Sequence, residues 1–261
     1  MLEIKDLTIQ YGDKAPVVEN FSLSLKKGEI ITIVGESGSG KSTVLSSILG
    51  LLPNGGKIIS GDIIYNGESM LSKSLNQWRE LRGTEITMIS QDSGGTLNPI
   101  RKIGKQFVEY IQTHSKMSAK EAEEKAKDMF SKVNLPDPEI IMKSYPHQLS
   151  GGMKQRVGIA MALTFHPKII LADEPTSALD VITQAQIVKE IMDLRKKFDT
   201  SIIMVTHNLG VAAYISDKII VMQNGKIVDA GNKNEVIENP KSEYTKKLLE
   251  AVPEIGGERL V

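Results

Sequence analysis

The sequence predicts an α/β fold with a sheet core, an N-terminal antiparallel β subdomain and an inserted α-helical subdomain. Three observations support this prediction. Apolar and polar residues alternate over the first 25 residues, as they do in strands with one buried face. The segment Ile30–Val34 is continuously apolar, which is typical of a strand buried on both faces. A helical pattern then occupies Ile100 to Phe165.

The N-terminal part is expected to form antiparallel strands. Leu2–Ile9, Phe21–Leu25 and Ile58–Tyr65 each alternate in polarity, and an Asn-Gly turn signal follows the third of them. The buried run Ile30–Val34 leads directly into a glycine-rich loop, and a helical pattern follows that loop. This order of strand, loop and helix marks the beginning of an α/β core.

The middle of the chain is expected to be helical. Ser118 and Glu121 have the spacing of a capping box at the start of a helix rich in Ala, Glu and Lys. Met153–Leu163 is a second amphipathic pattern. We therefore expect one domain with a helical subdomain at residues 92–165, and with residues 1–91 and 166–261 forming the core and the β subdomain.

The α/β pattern returns after the helical part. The expected elements are a strand at Ile169–Ala172, a helix at Ile182–Phe198, a strand at Ser201–Val205, a hairpin around Asn224-Gly225 and a helix at Tyr244–Ala251. Buried strands alternating with helices are typical of parallel sheets.

Composition excludes several classes of protein. The 261 residues include 32 Lys and Arg against 32 Asp and Glu, and this zero net charge argues against a nucleic-acid partner. The absence of cysteine excludes disulfides, zinc–thiolate sites and iron–sulfur clusters. No run reaches the ~18 apolar residues of a membrane span, and the N-terminus lacks the apolar region of a signal peptide. We therefore expect a cytosolic chain that reaches a membrane only through partners.

The glycine-rich loop after the first buried strand fits the pattern G-x-x-x-x-G-K-[ST]. Glycines let backbone N–H groups turn toward phosphate oxygens, and the positive end of the next helix faces the same anion. Lys41 is expected to reach the β- and γ-phosphates of a nucleotide, and Ser42 to bind Mg²⁺. A flexible linker is the alternative, which the flanking strand and helix disfavour. The loop comprises Gly35, Glu36, Ser37, Gly38, Ser39, Gly40, Lys41 and Ser42.

Two carboxylates end a second buried strand. Asp173 and Glu174 follow Ile169–Ala172, and successive side chains of a strand point in opposite directions. Asp173 can therefore face the Mg²⁺ ion while Glu174 addresses a different point, where it would polarise the attacking water. A solvated pair of acids at a strand end is the alternative, and the phosphate loop disfavours it.

Polar residues follow two further predicted strands. His207 comes soon after Ser201–Val205, and parallel sheets gather their ligand groups at the carboxyl ends of strands. We expect His207 near the γ-phosphate, and a structural role is the alternative for a lone histidine. Gln91 lies two residues after the strand predicted at Ile86–Ile89, and its amide oxygen could complete the Mg²⁺ shell or hold a water.

A second Ser-Gly-Gly turn opens a helix in the helical part. Leu149–Gly152 precedes the pattern Met153–Leu163, so the helix start is another potential anion site. A chain with two such half-sites suggests a nucleotide held between two chains. An ordinary N-capped helix is the alternative.

These motifs together resemble the ABC-transporter ATPase family over nearly the whole chain. In that resemblance the Walker A motif is Gly35–Thr43, the Q-loop glutamine is Gln91, the signature is Leu149–Gly152, Walker B is Ile169–Asp173, and the D-loop is Ser177–Asp180. The resemblance implies a P-loop NTPase core of the RecA-like type and an ATPase that uses ATP and Mg²⁺.

The resemblance also implies a role for each residue. Glu174 would be the catalytic base, with His207 and Lys41 as the other catalytic residues. Tyr11 would stack on adenine beside Val18, and Thr43 would complete the ATP-binding loop. In a dimer, the signature residues would contact the γ-phosphate of the ATP bound to the partner subunit; these are Ser150, Gly151 and Gly152. Asp180 would couple the two sites. The metal ligands would be Ser42, Gln91 and Asp173.

A finer resemblance is to the dipeptide, oligopeptide and nickel importer branch. It is carried by Thr96–Pro99, Val181–Gln186 and the C-terminal stretch from Asn239 through Tyr244–Leu249 to Pro253. Many peptide members carry a C-terminal cysteine cluster that this chain lacks, which favours a nickel or metal-chelate system without excluding peptides. The branch implies a second ABC ATPase subunit, two transmembrane permease subunits and a solute-binding protein. It also implies a peripheral position on the cytoplasmic face of the cell membrane.

Three alternative functions have weaker support from the sequence. A P-loop kinase would lack the signature turn, and Asn232–Glu235 only superficially resembles the guanine-reading motif of a GTPase. ABC ATPases of DNA repair insert long coiled coils, and those of translation carry two cassettes; this chain has neither. Export instead of import is disfavoured only by the branch resemblance. The solute, and whether the second ATPase subunit is identical or homologous, stay open.

Overall fold

The computed structural model describes residues 1–53, 55–177, 179–252, 254–255 and 258–259. Its strands are β1 (Leu2–Tyr11), β2 (Val18–Leu25), β3 (Ile30–Val34), β4 (Gly56–Tyr65), β5 (Glu68–Ser69), β6 (Ile86–Ile89), β7 (Ile169–Asp173), β8 (Ser201–Thr206), β9 (Lys218–Gln223), β10 (Lys226–Asn232), β11 (Glu254–Ile255) and β12 (Glu258–Arg259).

The helices follow the same chain order. They are α1 (Lys41–Ile48), α2 (Leu75–Leu81), α3 (Ser93–Thr96), α4 (Ile103–His114), α5 (Ala119–Lys132), α6 (Pro138–Lys143), α7 (Gly151–Leu163), α8 (Val181–Phe198), α9 (Leu209–Ile215), α10 (Lys233–Glu238) and α11 (Glu243–Glu250). Within the described ranges, no helix is long and apolar enough to cross a bilayer. Two compact units are present: the first unit is Met1–Trp78 with Ser201–Val261, and the second unit is Arg79–Thr200.

An antiparallel sheet of four strands, in the order β2-β1-β4-β5, belongs to the first unit. Leu2 pairs with Leu25 and Ile4 with Leu23, so the buried side chains of β1 and β2 lie on one face. This confirms the predicted antiparallel N-terminal part. The two-residue strand β5 was not predicted, because it is too short to show a period.

Four further strands of the first unit follow the order β10-β9-β3-β8. Strand β3 is parallel to both of its neighbours, and Val34 pairs with Thr206 of β8 and with Val221 of β9. All five residues of β3 are buried, which accounts for its continuous apolar run. Strand β10 returns antiparallel to β9 through Asn224 and Gly225, whose φ angles are 50° and 80°.

One apolar cluster joins the carboxyl end of β3 to the last helix of the first unit. We call it the C-terminal cluster, and its buried members are Val34, Leu209, Ala212, Ile219, Val221, Val236, Tyr244, Leu249 and Val252. Helix α11 begins after Ser242, whose Oγ accepts a hydrogen bond from the N–H of Thr245 at 3.0 Å. The observed helix begins and ends one residue earlier than predicted. Pro253, the last residue of the stretch that carries the branch resemblance, lies outside the described residues.

Helices α3 to α7 of the second unit lie in sequence between the parallel strands β6 and β7. The predicted capping box is confirmed: Ser118 Oγ accepts from Glu121 N–H at 3.3 Å, and the Glu121 carboxylate accepts from Ser118 N–H at 2.8 Å. Phe130 of α5 packs against Phe107 of α4, with 5.2 Å between the ring centroids. The helical pattern therefore buries its apolar face between neighbouring helices.

Candidate functional site

The loop between β3 and α1 follows a path that only glycine permits. Gly38 and Gly40 have φ angles of 82° and 100°, in the left-handed region. A Cβ atom at Gly40 would lie 2.8 Å from the carbonyl oxygen of Val17. One at Gly35 would lie 2.2 Å from the carbonyl oxygen of Met222. These glycines let the loop backbone pack directly against neighbouring backbone.

Lys41 begins α1, and its side chain is held by the loop itself. The residue is buried, with 5% of its surface exposed. Its Nζ donates to the carbonyl oxygens of Gly35 at 2.8 Å and Glu36 at 2.7 Å. The Oγ of Ser39 lies 3.5 Å from the same nitrogen. A cation removed from water in this way interacts strongly with a nearby anion.

The N-terminus of α1 has no side-chain cap. Gly40 makes no capping hydrogen bond through a side chain, and the first turn contains no acidic residue. The first N–H groups of a helix have no acceptor within the helix, and they form the positive end of its dipole. Together with Lys41, exposed Ser42 and half-buried Thr43, this helix end is suited to bind phosphate.

Tyr11 and Val18 occupy the ends of adjacent strands in the same unit. Tyr11 is half-buried and ends β1, and its ring lies over Gly56, where a Cβ atom would be 2.6 Å from ring carbon Cε1. Val18 is buried and begins β2. Its Cγ2 lies 3.0 Å from the position of a Cβ atom at Gly40, so Val18 borders the phosphate loop.

His207 lies at the same sheet edge as the phosphate loop. The last paired residues of the parallel strands β3 and β8 are Val34 and Thr206. Gly35 and His207 each follow directly, so the two chain segments leave the sheet side by side. His207 is exposed. Asn208 then caps α9, because its Oδ1 accepts from two backbone N–H groups at 2.9 and 3.2 Å.

The second unit brings Gln91 and the two carboxylates to one sheet edge. Strands β6 and β7 are parallel, and Ile89 pairs with Ala172. Asp173 is half-buried and ends β7, while exposed Gln91 lies two residues beyond β6. Glu174 is half-buried and has a φ of 43°, a left-handed conformation that a residue with a side chain rarely adopts.

The signature turn lies against the start of α8 in the second unit. Ser150 is exposed and caps α7 through its Oγ. A Cβ atom at Gly151 would lie 3.4 Å from Cδ2 of Leu179, and one at Gly152 would lie 3.0 Å from Cγ2 of Thr183. The structure therefore brings the signature turn and the predicted D-loop together.

Asp180 is the residue that caps α8. Its Oδ1 accepts from the backbone N–H of Thr183 at 3.0 Å, and its Oδ2 accepts from the hydroxyl of the same residue at 2.7 Å. These hydrogen bonds to Thr183 lower the pKa of Asp180 below its ordinary value. The carboxylate therefore stays ionised near the signature turn. Ala178, a further member of the predicted D-loop, lies outside the described residues.

The segment after Gln91 packs on the signature helix. A Cβ atom at Gly158 of α7 would lie 2.6 Å from Ser93 Oγ. One at Gly94 would lie 2.8 Å from Cδ of Lys154. Helices α3 and α7 can approach this closely because a glycine stands at each contact. The contact could not be predicted from the sequence, because nothing in a lone glycine indicates which helix it will face.

Tyr244 is a second feature that the sequence analysis missed. Its hydroxyl oxygen accepts a hydrogen bond of 2.9 Å from the backbone N–H of Glu36, which lies 208 residues earlier in the chain. Gly225 also reaches the loop, since its N–H donates to the carbonyl oxygen of Ser39 at 3.2 Å. The only signal in the sequence was the stretch Tyr244–Leu249, which predicts part of a helix and carries the resemblance to the importer branch, but does not indicate a contact with the loop.

The candidate residues divide between the two units, and each unit groups its own set. The first unit contains Tyr11, Val18, the loop Gly35–Thr43 and His207; the second contains Gln91, Ser150, Gly151, Gly152, Asp173, Glu174 and Asp180. Among the residues described by the structure, no group of three or more His, Asp or Glu side chains could hold a metal ion by itself.

Comparisons with known proteins agree with these features. Residues 18–177 match the family model described as ABC transporter. The oligopeptide transport ATP-binding protein OppD of Bacillus subtilis (strain 168) is 44% identical over 257 residues, covering 97% of this chain and 72% of that protein. The metal-staphylopine import system ATP-binding protein CntD of Staphylococcus aureus (strain NCTC 8325 / PS 47) is 42% identical over 252 residues, covering 95% and 92%.

Solved structures show the same architecture. The dimeric post-hydrolysis structure of the ATP-binding cassette MJ0796, bound to ADP and Pi, has a TM-score of 0.77 and 29% identity, over 89% of this chain and 99% of that one. The cbiO1 protein from Clostridium perfringens, part of the ABC transporter complex cbiONQ, has a TM-score of 0.78 and 27% identity, over 97% and 95%.

Proposed function

Because the chain belongs to the ABC transporter family, we propose that it hydrolyses ATP to energise the import of peptides or metal chelates. That the chain is an ATPase which binds ATP follows from the family itself and from its ADP-bound structural neighbour. The observation that carries the import proposal is its similarity, over nearly the whole chain, to the oligopeptide transport and metal-staphylopine import proteins. Peptides and metal chelates are both proposed as possible classes of solute.

The proposed ATP site begins at the phosphate loop. The uncapped start of α1 and the buried Lys41 ammonium group supply positive potential, and Ser37 and Gly38 at the loop tip are exposed to an incoming triphosphate. Tyr11 would stack on the adenine ring beside Val18. The residues proposed to bind ATP are Tyr11, Val18, Gly35, Glu36, Ser37, Gly38, Ser39, Gly40, Lys41, Ser42, Thr43 and Gln91.

Mg²⁺ is proposed as the metal cofactor. Ser42, Gln91 and Asp173 offer a hydroxyl, an amide oxygen and a carboxylate, which are the hard oxygen donors that this ion prefers. Mg²⁺ commonly binds through one or two carboxylates together with substrate phosphates, so a complete protein cage is not required. Bound Mg²⁺ would neutralise charge that develops on the phosphate oxygens during hydrolysis.

Three side chains are proposed to perform the catalysis. Glu174 would accept the proton of the attacking water, which makes the water a better nucleophile. His207 would hydrogen-bond the γ-phosphate from the neighbouring strand end, and Lys41 would stabilise its negative charge. The shared sheet edge of His207 and Gly35 supports this assignment within the first unit.

A second ATPase subunit, identical or homologous, is proposed to complete the site. The signature turn and Asp180 form one surface in the second unit, with an exposed Ser150 at the start of a helix of 13 residues. In a dimer, Ser150, Gly151 and Gly152 would contact the γ-phosphate bound to the partner subunit. The dimeric form of the MJ0796 cassette supports such an arrangement.

Two permease subunits and, through them, a solute-binding protein are proposed as the remaining partners. The chain would then lie on the cytoplasmic face of the cell membrane, held there by the permeases. We also propose residues 92–165 as the helical subdomain that contacts them. Closure of the ATPase dimer would move this subdomain and switch the access of the permease.

The catalytic proposal is tested with Glu174→Gln. This variant keeps the size of the side chain but removes the base, so we expect unchanged ATP affinity and a loss of turnover of at least about 100-fold. Glu238→Gln, an exposed exchange of the same kind, serves as the control and should hydrolyse ATP at the normal rate. ATPase activity is measured with and without Mg²⁺, and full activity of Glu174→Gln would contradict the assignment.

The import proposal needs the whole complex. Vesicles containing the chain with its co-purified membrane partners are supplied with radiolabelled peptides or with metal chelates. We expect ATP-dependent accumulation of one class of solute, and no accumulation with Glu174→Gln. Export of both classes of solute would contradict the import proposal but would not contradict the assignment of the chain as an ATPase.

A further inference from the structure

We propose that Tyr244 of the C-terminal helix is a positioning residue for the phosphate loop and thereby sets the affinity for ATP. The tyrosine does not belong to the loop or to any motif of the nucleotide site. Its hydroxyl nevertheless accepts a hydrogen bond of 2.9 Å from the Glu36 N–H inside the loop. The inference rests on the proposed role of this loop in binding ATP.

The hydrogen bond acts on the same peptide group that holds the Lys41 ammonium ion. The peptide between Gly35 and Glu36 carries the Gly35 carbonyl oxygen, which accepts from Lys41 Nζ at 2.8 Å, and the Glu36 N–H, which donates to Tyr244. A trans peptide group is planar, so its C=O and N–H point in opposite directions. Lys41 and Tyr244 therefore fix this plane from its two sides.

The two hydrogen bonds also strengthen each other. An ammonium ion that binds the carbonyl oxygen polarises the peptide group and makes its N–H a better donor. Burial raises the pKa of Tyr244, so its hydroxyl stays neutral across the physiological range. Loss of the hydroxyl would leave the Glu36 N–H without this acceptor, and the peptide plane and its hold on Lys41 would loosen.

Helix α11 is itself held firmly, so the Tyr244 hydroxyl can keep the loop peptide in a fixed position. Asp229 is 4% exposed, and its Oδ2 accepts from the backbone N–H of Lys241 at 2.7 Å and of Ser242 at 3.4 Å, just before the helix begins. Tyr244 is 9% exposed, and its side chain packs in the C-terminal cluster. That cluster includes Val34, the residue immediately before the loop.

The cluster also touches the segment that follows His207. Leu209 and Ala212 of α9 are members of it, and a Cβ atom at Gly210 would lie 3.5 Å from Cγ1 of Val252. The C-terminal helix therefore contacts the two chain segments that leave the sheet side by side at the candidate site. A ring alone would satisfy this packing, so the hydroxyl is the part that a purely structural role does not need.

The test separates the hydroxyl from the packing. Tyr244→Phe removes only the hydroxyl, and we expect the KM for ATP to rise 3- to 10-fold while kcat changes less than twofold. Leu249→Ala removes packing from the same cluster, and it should lower the thermal midpoint while leaving KM within twofold. Tyr214→Phe, at a tyrosine that is 60% exposed, should change neither quantity.

Each outcome decides the proposal. An unchanged KM in Tyr244→Phe overturns it, and so does an equal rise of KM in Leu249→Ala, because packing alone would then account for the effect. If Tyr244→Phe also loses thermal stability, its KM is compared with that of Leu249→Ala. Each variant is then measured at a temperature the same number of degrees below its own thermal midpoint. Lys41→Ala is run in parallel: if it binds ATP normally, the loop assignment itself fails and both proposals fall.

Discussion

At the scale of single residues, the phosphate loop is defined by backbone conformations that exclude side chains. Gly40 combines a φ of 100° with a neighbouring carbonyl oxygen only 2.8 Å from where a Cβ atom would be. Gly67 has a similar φ of 87° but no atom within 4 Å of that position. The two glycines therefore separate the cost of backbone strain from the cost of steric overlap.

Gly40→Ala should weaken ATP binding, whereas Gly67→Ala should not. We expect Gly67→Ala to lower the free energy of unfolding by about 1 kcal/mol, the cost of a left-handed backbone with a side chain. Gly40→Ala should lose about 2 kcal/mol or more, because overlap adds to strain. Chemical denaturation and ATP titration measure the two effects. Equal ATP affinity in both variants would contradict the account of the loop.

His114 should make stability depend on pH below neutrality. Its ring lies among Tyr110 and Phe165, at 5.0 and 5.8 Å between centroids, and burial lowers the pKa of His114. The unfolded chain, with a histidine pKa of about 6.5, then takes up the proton first. The free energy of unfolding should therefore fall as the pH decreases through about 6.5.

The measurement for His114 compares pH slopes rather than absolute stabilities. Denaturant unfolding of the natural chain and of His114→Gln is followed from pH 7.5 to 5. We expect a shallower decline in the variant, whatever packing it loses at pH 7.5, because glutamine binds no proton. Parallel curves would show that burial of this ring does not govern its protonation.

At the scale of secondary-structure elements, one ion pair joins the signature helix α7 to α8. Both Nε and Nη2 of Arg156 donate to the Glu190 carboxylate, with the shortest distance 2.8 Å, and the two side chains are 17% and 16% exposed. Such a fork is stronger and better oriented than a single contact. It links the helix that begins at Gly151 with the helix that begins beside the D-loop.

Arg156→Ala should cost more stability than removal of a surface pair. We expect a loss of about 1–3 kcal/mol, because Glu190 would keep its charge in a largely buried place. Lys246→Ala breaks the exposed pair with Glu243, and because water screens that pair the stability should stay nearly unchanged. A double-mutant cycle with Glu190→Ala measures the coupling between the two side chains, and a value near zero would show that packing alone joins the helices.

At the scale of the whole molecule, ATP should act as a stabiliser of the folded chain. A ligand that binds only the folded state adds about 2.7 kcal/mol at a concentration 100 times its Kd. The thermal midpoint of the natural chain should therefore rise with ATP concentration. Lys41→Ala should show a much smaller rise, and an undiminished rise in that variant would mean that the nucleotide binds elsewhere.

Structure that follows from neighbouring residues could be predicted from the sequence. The alternation in β1, the fully buried β3 and the capping box at Ser118 each depend on residues close in the chain, and each is confirmed. The contacts that could not be predicted join distant segments through atoms without a pattern. The Tyr244 hydroxyl meets a backbone N–H 208 residues away, and Gly158 accommodates Ser93 only once α3 and α7 pack together. Long-range contacts of this kind leave no period in a sequence.

The left-handed backbone at Glu174 affects how the sequence of this chain would evolve if ATP turnover were no longer needed. Glycine adopts a φ of 43° without the penalty of about 1 kcal/mol that a side chain brings. Under selection for heat resistance alone, a library of variants should accumulate glycine at this position. The proposed role of Glu174 as the catalytic base predicts that glutamate persists under selection for solute uptake, despite its thermal disadvantage. The frequency of glycine among the survivors would then report whether a lineage still requires nucleotide turnover.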